Sequence, residues 1–429
     1  MAVRHLCRPL PLPSRIPARQ PCTWHLASRF SSAAPIRPRQ ERHEERLQRL
    51  LRSLRLPKPT SFVAFGSSIP LPLTALPWAG FRIGPKEPSM SYLAGFFDGD
   101  GCVAVQSDHS GCQLKVAQSA QQAGVLLLFL QAFGGTILAS SPTSGSQHAV
   151  LTWSVGGDRC RHAAQALSDP SALKQEQLRI AASWPECPGR RRDLRVEMKR
   201  LKRSECQALD GAACWEYLAG FVDAEGCIHV HATSGIRLEI GQKQRPILSF
   251  IASWLGRTIP GCEPRVYDRR GAFAMSVRTV APTKQIFRRL LDAGLLQKRE
   301  AAEIAISYTR ANHADCRRRL ALLVGNQSRY RRLDADGCAR ARELGRLRSH
   351  VYRHRDSTAR AAFVQQLRCE IDALARHHAA ESALTRLSML RRDIRGLLRR
   401  GALRAPRAGG SGNLNYGVGG EPWAVEEQK

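Results

Sequence analysis

One twelve-residue segment occurs twice in this chain, and the repetition restricts it to folds built from two equivalent halves. Tyr92-Leu93-Ala94-Gly95-Phe96-Phe97-Asp98-Gly99-Asp100-Gly101-Cys102-Val103 returns as Tyr217-Leu218-Ala219-Gly220-Phe221-Val222-Asp223-Ala224-Glu225-Gly226-Cys227-Ile228. Eight of the twelve positions are identical, and the other four exchange similar residues. The copies lie 125 residues apart, the size of a small domain.

The stretches after the two copies also match. Val103-Ala104-Val105-Gln106 leads to a turn at 108–111 and then Leu114-Lys115-Val116; Ile228-His229-Val230-His231 leads to a turn at 233–235 and then Ile236-Arg237-Leu238-Glu239-Ile240. Apolar residues alternate with period two, so each stretch predicts a hairpin with one buried face. A helix (123–133; 246–255), a second strand pair (136–140 with 149–155; 264–266 with 272–277) and another helix (158–167; 282–291) come next, with a last helix beginning near 172 or 295. The fold class is α+β: two αββαββα half-domains, 90–185 and 215–310, joined by a charged connector, 186–214.

The repeated segment reads as a helix whose small residues, Ala94 and Gly95, let two backbones approach closely. Gly101 and Gly226 sit where a helix can end in a left-handed residue. Asp100 and Glu225 therefore project from helix C-termini, where a carboxylate is electrostatically disfavoured. Packing the two copies side by side brings two such carboxylates together and doubles the penalty. Divalent cations would offset it, because hard cations prefer oxygen ligands. Metal ions beside a phosphate can stabilise the attacking and leaving oxygens of an in-line displacement.

The charge balance names the partner class. Of 429 residues, 66 are Lys or Arg and 36 Asp or Glu, a formal charge of +30. A chain this basic meets a polyanion, nucleic acid foremost, with an anionic membrane surface as the alternative. No apolar run approaches the roughly 20 residues that span a bilayer. Thirteen cysteines without a C-x-x-C pair argue against both a secreted disulfide framework and a zinc ribbon.

The two segments resemble the LAGLIDADG motifs of the homing-endonuclease family in its single-chain, two-motif form, over about residues 90–310. The resemblance implies a pseudo-two-fold with the motif helices paired at the centre, and two saddle-shaped antiparallel sheets over double-stranded DNA. It implies a monomer that uses Mg²⁺, with Mn²⁺ able to substitute, and cuts both strands of a long site. The metal ligands it implies are Asp100 and Glu225, while Asp98 and Asp223 would hydrogen-bond at helix ends. Gln118 and Gln242 match the polar residue at the end of the second strand. Lys174 and Lys298 match the basic residue at the start of the last helix, although strict alignment places Gln297 there in the second copy. Strand parity aims Gln106, Gln113, Lys115, His229, His231, Arg237 and Glu239 away from the core, where such side chains suit bases and phosphates. A rival reading is an RNA-binding maturase that helps group I introns fold; another is a DNA-binding protein without activity.

The remaining segments are read from composition. Residues 1–40 hold seven Arg and no Lys, Asp or Glu, the composition of an organelle transit peptide, mitochondrial or chloroplast. Residues 41–89 read as a short basic helix (41–56) and a Pro-, Ser- and Gly-rich linker (57–89). Residues 311–405 carry 22 Arg, no Lys and nine acids, with helical patterns over 358–375 and 379–398. This basic helical extension is either a nucleic-acid arm or a solvated bundle. Asp334-Ala335-Asp336-Gly337-Cys338 mimics the motif's end but lacks its small-residue face, and reads as a turn. The Gly-rich stretch 406–429 reads as a disordered tail.

Overall fold

The computed structural model describes residues 37–76, 89–106, 111–140, 149–204, 213–231, 235–269, 271–323, 330, 333–354 and 360–405. The proposed transit segment up to residue 36, the turns at 107–110 and 232–234, and the tail 406–429 lie outside these residues, as does the side chain of His231.

The chain opens with α1 (Arg37–Ser53), β1 (Leu54–Arg55), β2 (Ser61–Ala64) and β3 (Ser67–Pro70). The first half comprises α2 (Met90–Asp100), β4 (Gly101–Val105), β5 (Cys112–Ser119), α3 (Gly124–Phe133), β6 (Thr136–Ala139), β7 (Val150–Gly156), α4 (Gly157–Ser168) and α5 (Gln175–Ala182). Helix α6 (Pro188–Leu201) occupies the connector. The second half repeats the order with α7 (Trp215–Glu225), β8 (Gly226–His231), β9 (Gly235–Gln242), α8 (Arg245–Thr258), β10 (Arg265–Arg269), β11 (Ala272–Val277), α9 (Val280–Asp292) and α10 (Arg299–Ser307). Helices α11 (His313–Leu323), α12 (Ala335–His354), α13 (Ala361–Arg399) and strand β12 (Leu403–Arg404) complete it.

Both halves build the same four-stranded antiparallel sheet, in the orders β4-β5-β7-β6 and β8-β9-β11-β10. The expected α+β class and repeated αββαββα pattern are therefore present. Parity holds too. Val103, Leu114 and Val116, and Ile228, Leu238 and Ile240, are buried, while Gln113, Lys115, Arg237 and Glu239 between them are not.

The cores differ in content. The first holds an aromatic cluster in which Phe129 lies 5.1 Å from Trp153 and 6.1 Å from Phe96, centroid to centroid. The second is largely aliphatic around Ile247, Leu248, Ile251 and Leu255. Each such buried side chain contributes about 1.5–3 kcal/mol.

Two expectations are corrected. Residues 57–89 are not simply a linker, because 61–70 form a hairpin whose Phe62, Ala64 and Ile69 alternate into the first half's core. Beyond it Leu73 bridges Ile137 at the sheet edge. The two helices expected over 358–375 and 379–398 are one 39-residue helix, α13, since neither Gly nor Pro interrupts 376–378. Asp334 accepts a hydrogen bond from the Gly337 amide (2.7 Å) at the start of α12, so the motif mimic caps a helix.

Candidate active site at the paired motif helices

Helices α2 and α7 lie side by side. A Cβ on Gly95 would collide with the Tyr217 carbonyl oxygen, and one on Gly220 with that of Tyr92, so backbone packs on backbone across the pseudo-two-fold. At the tips, a Cβ on Gly99 would sit 3.1 Å from Glu225 Cγ. The two acids thus share one end of the pair. Gly101 and Gly226 are not left-handed, as the sequence suggested: they are extended (φ −79° and −75°), because each helix runs straight into its strand. Glycine is needed there for room; added Cβ atoms would press on the carbonyls of Phe97 (2.5 Å) and Val222 (2.6 Å).

Each acid is held from its own sheet. Gln118 Nε2 donates to Asp100 Oδ2 (2.6 Å), and Gln242 Nε2 donates to Glu225 Oε1 (3.2 Å). Asp100 opens to solvent on one side, yet burial by the surrounding protein raises its pKa. Burial also raises that of Glu225, and the neighbouring charge of Asp100 raises it further. Lys174 and Lys298 pull both carboxylates the other way. The lysines are themselves held below the usual range by burial, against the attraction of Asp98 and Asp223 respectively.

Asp98 and Asp223, both 1% exposed, build the frame. Asp98 accepts hydrogen bonds from the amides of Ala172 (2.6 Å), Leu173 (2.9 Å) and Lys174 (3.0 Å) and from the Ser171 hydroxyl. Asp223 accepts from the amides of Leu296 (2.7 Å), Gln297 (3.1 Å) and Lys298 (2.8 Å). Both carboxyl groups sit at helix N-termini, those of α5 and α10, where the amides point at them. In return Lys174 Nζ donates to the carbonyls of Phe97 (2.8 Å), Asp98 (2.6 Å) and Gly99 (3.2 Å), and Lys298 Nζ donates to that of Asp223. Lysine meets helix C-terminus while carboxyl group meets helix N-terminus, so each lysine-bearing helix is locked to its motif helix. The correspondence also settles the alignment. Lys298, not Gln297, stands where Lys174 stands, one residue closer to its motif.

Sequence reasoning missed a cross-brace. Tyr92 donates its hydroxyl proton to Asp223 Oδ2 (2.7 Å), and Tyr217 donates its own to Asp98 Oδ2 (2.8 Å), so each aspartate is tied to the opposite half. The tyrosine's return at the same motif position was the available signal.

The outward sheet faces carry Gln106, Gln113, Lys115, His229, Arg237 and Glu239, among the residues singled out for nucleic acid. Gln113 and Lys115 stand opposite Gly156 and Ser154, and His229 stands opposite Arg237. The Gln106 amide closes its hairpin on the Gly111 carbonyl (2.9 Å). Glu239 is already engaged, accepting from Tyr267 (3.0 Å) and pairing with Arg269. Arg265, Tyr267 and Arg269 extend this face at period two, a signal present in the sequence and passed over. Arg278 lies 5.9 Å from the Tyr267 ring centroid.

Two clustered carboxylates suit a cation that keeps its waters and takes further oxygens from a phosphate, as Mg²⁺ does. Among the described residues no group of three or more His, Cys, Asp or Glu is placed to hold a metal ion.

Fold and site together show two equivalent half-domains on paired motif helices with an acid at each tip, the arrangement that the resemblance to the LAGLIDADG motifs led one to expect. Similar solved structures include a mutant of I-SmaMI, at 14% identity and TM-score 0.41 over 55% of this chain and 96% of that one. The LAGLIDADG meganuclease I-AabMI bound to uncleaved DNA matches at 12% and 0.41, over 55% and 97%. The LAGLIDADG homing endonuclease I-GzeII in complex with its DNA target matches at 12% and 0.36, over 54% and 97%. No family model matches the sequence, and no curated protein does.

Proposed function

We propose that this chain is a site-specific endonuclease for double-stranded DNA, acting as a monomer because both motifs lie in one chain. The observation that carries the reading is the convergence of Asp100 and Glu225 at the tip of the paired helices in a chain of formal charge +30. Asp100 and Glu225 would hold divalent cations, Mg²⁺ or Mn²⁺, which supply charge stabilisation at the attacking and leaving oxygens of an in-line displacement. Gln118 and Gln242 fix the orientation of the two carboxylates. Lys174 and Lys298 bring positive charge to the edge of the site, where it balances the acids and draws in the phosphodiester. Gln106, Gln113, Lys115, His229, His231 and Arg237 would face the grooves, with Glu239 orienting Arg269 toward them. Residues 1–40 would direct the chain to the mitochondrion, or else to the chloroplast; a fluorescent fusion of that segment decides between them.

The test is a randomised duplex library incubated with the purified chain in Mg²⁺ and, separately, in Ca²⁺. Cutting in Mg²⁺ is expected, with Asp100→Asn and Glu225→Gln each slowing it by at least about 100-fold while sparing binding. Undiminished cutting by both variants would refute the assignment. Tight binding to a group I intron RNA without cutting of any duplex would favour the maturase.

A further inference from the structure

The two ends of the described chain meet outside the catalytic body. Strand β1 pairs with β12, and Leu51 and Leu54 pack on Leu390, Ile394 and Leu397 of α13. This small core draws a large charge around itself. Residues 42–56 and 390–405 contribute eleven Arg against three acids. Two of those acids are engaged, Glu44 by Arg386 (3.2 Å) and Asp393 by the Tyr330 hydroxyl (2.7 Å). On α13, Arg391, Arg395 and Arg399 form an exposed column one helical turn apart. Arg46 and Arg49 lie exposed on α1, and the contact of Arg391 with His43 (3.0 Å) brings the two helices' basic rows together.

Stability does not account for this arrangement. Like charges at helical i,i+4 spacing destabilise, and only six buried residues oppose them. A surface that tolerates such repulsion is built to be neutralised by a partner. Arginine without lysine suits phosphate oxygens, which its planar fork takes two at a time. Single-stranded nucleic acid would call for aromatic platforms. Among the described residues the exposed aromatics are Phe65, Tyr352 and Phe363, none of them in this corner.

We infer that the α1–α13 corner is a second, sequence-independent binding surface for the backbone of duplex DNA, separate from the motif-helix site. The inference rests on the proposal that this chain handles duplex DNA, but not on its cutting it. The probe is a mixed-sequence duplex of about 60 base pairs in EDTA, bound by the full chain across a salt series. Replacing Arg391, Arg395 and Arg399 together by Ala should weaken binding by about tenfold or more and reduce the log–log salt slope by about 2–3, near 0.9 per lost phosphate contact. The triple Lys replacement should restore most of both, and Glu45→Gln should tighten binding. The same changes are expected in a chain that also carries Asp100→Asn and Glu225→Gln, which separates this surface from the catalytic proposal. Affinity and slope unchanged by the Ala and Glu45→Gln replacements would overturn the inference. So would a loss seen only on single-stranded RNA.

Discussion

The two halves share a skeleton and differ in how they secure it. Asp98 receives five hydrogen bonds, three from α5-capping amides, one from Ser171 and one from Tyr217. Asp223 receives four, because buried Leu295 occupies the place of Ser171. Among the described residues, the outward sheet of the first half carries small and amide side chains and the exposed Leu138 around a single charge, Lys115. That of the second carries Arg237, Glu239, Arg265 and Arg269. What stays equal is the contact between the motif helices and the acid at each tip. Geometry that both halves must share is duplicated, while the means of holding it and the surface offered outward are free to diverge.

The sharpest way to break the symmetric part is to add one carbon. Helix propensity alone says that Gly95→Ala or Gly220→Ala stabilises by about 1 kcal/mol. Here the added Cβ would overlap a carbonyl of the facing helix, and backbone cannot turn aside as a side chain can. The clash wins, so each change should cost more than about 3 kcal/mol in urea denaturation, by similar amounts in the two halves. A stabilised variant, or a large difference between the two, would show that the helices are not in backbone contact.

The cross-brace sharpens the asymmetry. Removing a hydrogen bond to a buried carboxylate costs about 1.5–3 kcal/mol, and more where fewer donors remain. Tyr92→Phe leaves Asp223 with three backbone donors, whereas Tyr217→Phe leaves Asp98 with three and the Ser171 hydroxyl. Tyr92→Phe should therefore destabilise by about 2 kcal/mol and Tyr217→Phe by about 1, read from denaturation midpoints. Leu295→Ser, which restores the missing hydroxyl, should narrow that gap; equal costs would mean that Ser171 contributes nothing.

These contrasts also mark what the sequence could reveal. Repetition and period-two alternation predict the halves, the sheets and the acids at the tips, because those signals live in local order. Lys298 is harder to place, since its helix begins one residue nearer its motif than in the first half, and only the Asp223 bonds show the true correspondence. The tyrosine brace joins residues 131 and 119 positions apart, a distance at which periodicity is silent. The hairpin at 61–70 hides among the Pro, Ser and Gly around it, and the value of its alternating Phe62, Ala64 and Ile69 appears only against the first half's core.

The smallest expected effect concerns the acids themselves. Burial raises the pKa of Asp100 and Glu225, so the fold favours their protonated forms, and their ionisation weakens it. The penalty is absent below the ordinary carboxylate range, grows as pH rises from there towards the raised values, and is complete above them. Replacing the pair by Asn and Gln should therefore raise the melting temperature at pH 7 by about 1–3 °C, a modest gain because Asp100 opens to solvent and Lys174 and Lys298 already offset part of the charge. At pH 3 the gain should vanish. Mg²⁺ should stabilise the native chain at pH 7 and leave the Asn/Gln variant unmoved, since a ligand stabilises only the state that binds it. A variant less stable than the native chain at pH 7 without metal would mean that the lysines overcompensate the acids, and the two helix tips would then be held together by attraction between the halves.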